Sequence, residues 1–215
     1  MHNIVEVRSV TKKFFNTKVL DNVSLHIRLG DKIAMMGPNG AGKTTLIRAI
    51  LGFYHIDSGS IRVEGYDPVK SRVNVLKAVS FIPQLPPPIK LNVSELLKFV
   101  ERSTATKKEN IIAQANIMEL DIKKHLSKPF FKLSGGMKQK LLISIALAKK
   151  SRLLVFDEPT ANLDPKSREQ FYKLLSSQDY EHSTIFVTHR LEEIEGLVNR
   201  KVYIDLGKVV EDERI

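Results

Sequence analysis

Gly37-Pro38-Asn39-Gly40-Ala41-Gly42-Lys43-Thr44, followed by Thr45, meets every fixed position of the pattern G-x-x-x-x-G-K-[ST]. Its context agrees: Lys32–Met36 reads as a short buried strand and Thr44–Leu51 as a helix. Glycines in such a turn let successive backbone N–H groups face inward around phosphate oxygens, and the helix N-terminus adds a field that favours anions. In that arrangement Lys43 reaches the β- and γ-phosphates, and the Thr44 hydroxyl binds Mg²⁺. A glycine-rich turn arising by chance would not bring the lysine, the threonine, the apolar strand and the helix together. The stretch predicts a nucleotide-phosphate site.

Working outward, short apolar strands alternate with helices. Upstream, Ile4–Val10 and Val19–Ile27 alternate as strands do, the second through Leu20, Val23, Leu25 and Ile27. Downstream, Asp57-Ser58-Gly59-Ser60 reads as a turn into a strand at Ser60–Val63. Val79–Ile82 predicts a buried strand ended by Pro83-Gln84-Leu85-Pro86-Pro87-Pro88, where three consecutive prolines favour a stiff, exposed connector. Asn92-x-x-Glu95 and Thr106-x-x-Glu109 are capping-box patterns opening helices through Leu96–Val100 and Ile111–Leu120. Lys123–Lys132 is expected to be irregular. Ser134 then caps a helix over Met137–Lys149 whose apolar face is Leu141, Leu142, Ile145 and Leu147. Leu153-Leu154-Val155-Phe156 is the continuous apolar run of a strand covered on both faces. Asp164-Pro165 opens a helix to Ser176. Thr184–Val187 is another buried strand, ending at Thr188-His189. Glu192–Val198 reads as a helix, and Lys201–Asp205 and Lys208–Glu211 as a hairpin around Gly207. The alternation predicts an α/β domain with a helical insertion near residues 90–150.

Directly after the apolar run come Asp157 and Glu158. An acidic residue at the end of a buried strand supplies the second metal ligand that a phosphate loop needs, and Asp157 fits that role. Glu158, one residue on, points elsewhere and can polarise a water for in-line attack on the γ-phosphate. Near the N-terminus, Phe14 and Phe15 sit in a polar loop. Local sequence favours core for both, with purine stacking by Phe14 as the other reading.

Between these two motifs, Leu133-Ser134-Gly135-Gly136-Met137-Lys138-Gln139 resembles the signature of ATP-binding cassette (ABC) ATPases, and essentially the whole chain shares the likeness. The family's other motifs follow in order: Phe14 at the adenine-stacking aromatic, Gln84 at the Q-loop, Ala161-Asn162-Leu163-Asp164 at the D-loop and His189 at the switch histidine. The resemblance implies an α/β fold: a phosphate-loop NTPase core with a mainly parallel central sheet, an N-terminal antiparallel β-subdomain and an inserted α-helical subdomain. It further implies one cassette over 1–215, with the RecA-like core and β-subdomain in 1–89 and 151–215 and the helical part in about 90–150. It implies ATP hydrolysis with Mg²⁺ held by Thr44, Gln84 and Asp157, and with Glu158, Gln84 and His189 as the catalytic set. Ser134 and the following glycine N–H groups would bind the γ-phosphate of a second copy, so that two chains close head to tail on two ATP molecules. Phe14 stands where tyrosine is commoner, and Asn162 where a smaller residue often stands. Lys128-Pro129-Phe130-Phe131-Lys132 lacks the glycine–glutamate motif of many fused exporters, which points to a separately encoded subunit serving a transmembrane permease. Gln84–Leu91 would meet that partner. The proline-rich Q-loop is also reminiscent of cassette ATPases encoded with nitrous-oxide reductase maturation systems.

Bulk properties narrow the alternatives. The chain has 215 residues, no cysteine, no tryptophan and a net charge of +10. Lack of cysteine excludes disulfides and thiolate metal sites. The charge is compatible with nucleic acid, an anionic membrane face or polyphosphate. The basic residues fall in scattered pairs such as Lys12-Lys13, Lys107-Lys108 and Lys149-Lys150, which read as solvated surface and decide nothing. With the family resemblance, no nucleic-acid partner is expected. No apolar run approaches the roughly 20 residues of a membrane helix, and Met1-His2-Asn3-Ile4 does not open a secretory signal. The expected location is cytoplasmic, peripheral on the inner face of the membrane through the permease. The alternatives are a soluble cassette ATPase acting on ribosomes or DNA, or a mechanical one that signals across the membrane. Lys43 and Ser134 are 91 positions apart, too close for the long coiled-coil insertion of many soluble members. His2, His26, His55, His125 and His182 lie outside any motif and read as surface or packing.

Overall fold

Strands with one buried face build the first layer. In the computed structural model, which describes residues 3–189 and 191–215 and so leaves His2 outside, β1 spans Asn3–Phe14 and β2 spans Thr17–Arg28. Val23, Leu25 and Ile27 of β2 are buried, with exposed Asn22, Ser24, His26 and Arg28 facing the other way at the two-residue period of a strand, and Leu20 is buried beyond a shift in the register with β1. β1 pairs antiparallel with β2 on one side and with β4 (Ser58–Val63) on the other, giving the order β2-β1-β4.

The chain divides into two compact units. The first comprises Met1–Val79, Arg152–Asp157 and Glu181–Ile215, and holds that antiparallel sheet. It also holds β3 (Lys32–Met36), β6 (Leu153–Asp157), β7 (Ser183–Val187), β8 (Arg200–Asp205) and β9 (Lys208–Arg214), in the order β6-β7-β3-β8-β9. β3 runs parallel to β7 and β8, β6 runs parallel to β7, and β9 closes the edge antiparallel to β8. All residues of β6 and β7 are buried, as their continuous apolar runs require. Parallel β3, β6 and β7 therefore end at one edge, which is where ligands meet open α/β sheets. The C-terminal hairpin is fastened at the opposite end of β3. Buried Asp31 accepts from Arg200 Nη1 at 2.7 Å and Arg214 Nη2 at 2.8 Å, while Arg200 also chelates Asp212 at 2.7 and 2.6 Å. Removing Arg200 would leave the buried carboxylate to Arg214 and the Arg28 N–H, so the cost should fall below the roughly 3–5 kcal/mol of a buried charge with no partner left.

Helices α1 (Lys43–Ile50) and α2 (Arg72–Ala78) complete this unit. α2 has no counterpart in the sequence reading: its Arg-Val-Asn-Val-Leu-Lys-Ala run favours strand as much as helix, and only Val75 is buried. The expected helix over Glu192–Val198 is instead two single 3₁₀ turns, Leu191–Glu193 and Glu195–Leu197. Gly196 and too few residues to offset helix nucleation account for the difference.

The second unit comprises Ser80–Ser151 and Glu158–Tyr180, and β5 (Val79–Ile82) leads into it. Its helices are α3 (Val93–Thr104), α4 (Lys108–Ile117), α5 (Gly135–Ala148) and α6 (Pro165–Ser176). Leu96, Leu97, Ile111, Phe130, Leu133 and Leu141 pack in one apolar cluster. The box that starts α3 forms reciprocally: Glu95 N–H donates to Asn92 Oδ1 at 2.8 Å and Asn92 N–H to Glu95 Oε2 at 2.9 Å. The box expected at Thr106 does not form. Lys107 caps α4 with no side-chain bond, because Ala105 turns through a left-handed conformation (φ 57°) and the Thr104 hydroxyl bonds Thr106 Oγ1 at 2.8 Å. Lys123–Lys132 is largely irregular, as expected, with short 3₁₀ turns at Ile122–His125 and Phe130–Lys132. α5 is buried on more than the one face foreseen, since Gln139, Ile143 and Ser144 are hidden along with Leu141 and Leu147.

Candidate functional site

Three glycines of the Gly37–Thr45 loop lie in the left-handed region, Gly37 at φ 137°, Gly40 at 82° and Gly42 at 106°. At Gly37 a Cβ would stand 1.9 Å from the Ile204 carbonyl oxygen, and at Gly42 2.7 Å from that of Val19. The loop is thus pressed onto β8 and the start of β2, and only glycine fits both the turn and the approach. Pro38, Asn39 and Gly40 form an exposed tip, while Gly37, Ala41, Gly42 and Lys43 are buried. Lys43 arches back over the loop, its ammonium donating to Gly37 O at 2.6 Å and Pro38 O at 2.9 Å. α1 begins there with Gly42 as N-cap, no side-chain cap and no acidic residue in its first turn. The field of its first turn is left uncompensated by any side chain of that turn, the condition for holding an anion. Thr44 and Thr45 follow, both half-buried.

Asp157 ends β6, directly opposite Val187 of the parallel β7. Asp157 is 7% exposed, and its Oδ2 accepts from the Thr44 hydroxyl at 3.4 Å. Two oxygens bound to one Mg²⁺ at 2.0–2.1 Å in octahedral geometry stand about 2.9 Å apart. The Thr44–Asp157 pair therefore fits a magnesium ion with a small closing movement. The donor set is sparse and oxygen-only, as suits an ion that takes one or two carboxylates and completes its shell with phosphates and water. Thr188 and His189 continue from β7 at the same edge of the sheet, Thr188 buried and His189 exposed.

Phe14 and Phe15 part company. Phe15 occupies the hairpin turn with φ 52° and is fully exposed, so the core reading fails for it. Phe14 is half-buried. Tyr54 meets it edge to face with centroids 5.2 Å apart, and Lys12 Nζ sits 5.0 Å from the ring centroid.

In the second unit Gln84 is exposed, in a segment without helix or strand, beside Leu85 at 76% exposure. Ser134 caps α5, its Oγ accepting from Met137 N–H at 3.2 Å, and Ser134 and Gly135 are exposed while Leu133 is buried and Gly136 and Met137 are half-buried. A Cβ on Gly136 would come within 3.3 Å of the Asn162 carbonyl oxygen, so the signature turn lies against the D-loop of its own unit. Leu163 is buried and Ala161 and Asn162 are exposed. Asp164 caps α6: it accepts from Ser167 Oγ at 2.6 Å and Ser167 N–H at 3.0 Å, and these bonds hold its carboxyl below the usual range. Glu158 takes a left-handed backbone, φ 49°, immediately after the strand. Non-glycine residues held there cost about 1–3 kcal/mol and gather at functional sites.

Sequence reasoning passed over three residues. Tyr54 and Arg48 lie behind Phe14 and carry no motif. Gln139 stands within the signature stretch, yet its use was not assigned. It is fully buried, and its Nε2 donates to the Pro159 carbonyl at 2.9 Å. Its Oε1 has no hydrogen-bond partner among the described residues, an omission that costs about 1–3 kcal/mol.

The family model described as ABC transporter matches residues 20–161. The chain is 30% identical to the energy-coupling factor transporter ATP-binding protein EcfA1 of Ligilactobacillus salivarius, over 98% of this chain and 77% of that protein. It is 34% identical to the bacitracin transport ATP-binding protein BcrA of Bacillus licheniformis, over 99% and 70%. It is also 34% identical to the spermidine/putrescine import ATP-binding protein PotA of Pseudomonas aeruginosa, over 96% of this chain but 58% of that longer protein. A solved ATP-binding subunit of an ABC transporter superposes with TM-score 0.88 at 24% identity, covering 99% of this chain and 90% of that one, a likeness of fold. These relatives lend no support to the narrower likeness to nitrous-oxide reductase maturation.

Proposed function

This chain belongs to the ABC transporter family of ATP-binding proteins, and on that premise we propose that it hydrolyses ATP to power a separate membrane-spanning partner. The observation that carries the reading is the pairing of the Thr44 hydroxyl with the Asp157 carboxylate beside a glycine-built loop and an uncapped helix start. Gly37–Thr45 hold the triphosphate through backbone N–H groups, with Lys43 turning from loop carbonyls to phosphate oxygens. Phe14 stacks on adenine. Thr44, Asp157 and Gln84 hold magnesium, which when bound neutralises charge on the phosphates. Glu158 accepts a proton from the attacking water, and His189 donates a hydrogen bond to the γ-phosphate.

Ser134, Gly135 and Gly136 present an exposed helix start for the nucleotide of a second copy, flanked by Leu133 and Met137, with Asn162, Leu163 and Asp164 of the D-loop alongside. ATP then joins two copies, and its cleavage releases them. No helix among the described residues is long and apolar enough to cross a membrane. In this reading a partner supplies the membrane span, and the chain works on its cytoplasmic side as one cassette. Exposed Gln84, Leu85, Pro87 and Pro88 form the surface for it.

Glu158→Gln tests the reading. Steady-state hydrolysis should fall by about 10²–10⁴ while ATP binding persists and dimer accumulates in light scattering. Near-normal turnover would remove Glu158 as the base.

A further inference from the structure

Gln139 of α5 reaches the turn after Glu158. It is 0% exposed, it donates to Pro159 O at 2.9 Å, and its other amide atom finds no partner among the described residues. Leucine or methionine would fill the same space and remove the unpartnered Oε1, but would take the donor from the Pro159 carbonyl, so the amide serves that one bond. What the amide does supply is a fixed point. Pro159 has a locked φ and no N–H, so a bond to its carbonyl sets the exit direction of Glu158, whose own backbone sits at φ 49°. The turn closes with Ala161 N–H donating to Glu158 O at 3.3 Å and Leu163 N–H to Thr160 O at 3.1 Å. The same α5 begins at Ser134, and its Gly136 lies against Asn162. One helix thus carries the exposed signature turn at its start and holds the Glu158 turn within its second turn.

We propose that Gln139 is a positioning residue that ties Glu158 to the signature helix, so that engagement of Ser134–Gly136 by a second copy's nucleotide is felt as the placement of Glu158. The proposal rests on the reading of Glu158 as general base. It makes Gln139 a link between binding of one nucleotide and cleavage of another.

The test uses the purified full chain carrying Gln139→Leu, with the unbranched Gln139→Met as a second variant in case the first folds poorly. Turnover at saturating Mg-ATP should fall 10- to 100-fold, as expected when a reacting group is misplaced by about 1 Å. ATP affinity should stay within twofold, and the thermal midpoint should change little, because the unpartnered Oε1 is gone while the Pro159 carbonyl loses its donor. In a Glu158→Gln background, ATP-driven dimerisation should be unchanged by either substitution. In a Glu158→Ala background, Gln139→Leu should lower the residual hydrolysis no further, since residues acting as a unit are not additive. Turnover within threefold of the parent, a loss that multiplies in the Glu158→Ala background, or a loss tracking a lowered thermal midpoint would each overturn the proposal. A Glu158→Ala chain with near-normal turnover would instead reject the base assignment itself, and this inference with it.

Discussion

Phe14, the proposed platform for the base, is clamped by its neighbours. Tyr54 meets it at an interplanar angle of 77°, and Arg48 of α1 holds Tyr54 by donating to its hydroxyl at 2.8 Å. Lys12 is steadied in turn by Asp57 at 3.6 Å. An edge-to-face pair is worth about 0.5–1.5 kcal/mol and an exposed cation–π contact about 0.5–1 kcal/mol. Together they offset the entropy of fixing one ring, so the aromatic is ordered at little cost to binding. Stacking of a base on an aromatic is worth about 1–3 kcal/mol, so Phe14→Ala should weaken ATP binding by roughly 5- to 150-fold. Inorganic tripolyphosphate, which has no base, should bind as before. Phe15→Ala should change neither, because that side chain is fully exposed. Equal loss for ATP and tripolyphosphate in calorimetric titration would show that Phe14 supports the loop and not the base. Local sequence could not separate the two rings. Both are large and apolar in a polar loop, and the difference arises only because Phe15 takes the positive-φ turn position while Phe14 remains on the strand.

Elements were legible where a single periodicity governed burial. β3, β5 and β6 end within a residue of the apolar runs that announce them, and the Asn92 box marks α3 because both of its reciprocal bonds are local. α2 and the Leu191–Leu197 turns were not legible, since neither buries a continuous face and short segments with weak propensity take the shape their surroundings impose. The end of α5 shows a third kind of miss. Lys149, read as part of a solvated basic pair, is half-buried, and burial pushes its ammonium down from an ordinary value of 10.5 to about 8. Below about pH 8 the folded and unfolded chains both carry that charge, and the folded chain bears its desolvation. Between about 8 and 10.5 the unfolded chain binds more protons, so this contribution to stability rises with pH. Lys149→Met should therefore raise the thermal midpoint by a few degrees at pH 7. That advantage should shrink as pH passes from 8 towards 10.5. A gain equally large at both ends of that range would mean that packing, not charge, sets it.

For the whole molecule, the reading depends on an order of motifs that no single stretch supplies. Gln84, Ser134, Asn162 and Glu158 stand in the second unit, the phosphate loop and Asp157 in the first. The common purpose proposed for them rests on resemblance to a family. Spacing along the chain says nothing of which copy a helix start serves. Ser134 decides that question, because it does two things at once. Its hydroxyl caps α5, a bond whose loss costs about 1 kcal/mol, and its turn is exposed, which in the proposed dimer offers it to a second copy. Ser134→Arg removes the cap and fills the anion site with a long side chain, whereas Ser134→Asn retains a capping oxygen with little added bulk. In a Glu158→Gln background, the arginine variant should remain monomeric in Mg-ATP by light scattering. Its ATP affinity should match the parent's, since the phosphate loop is untouched, and its thermal midpoint should fall only by the few degrees that one cap implies. The asparagine variant should keep the midpoint and dimerise in part. Dimers of the arginine variant at parental strength would mean that the signature turn does not face the neighbour's nucleotide. Loss of ATP binding in the monomer would mean instead that Ser134 serves the nucleotide of its own chain.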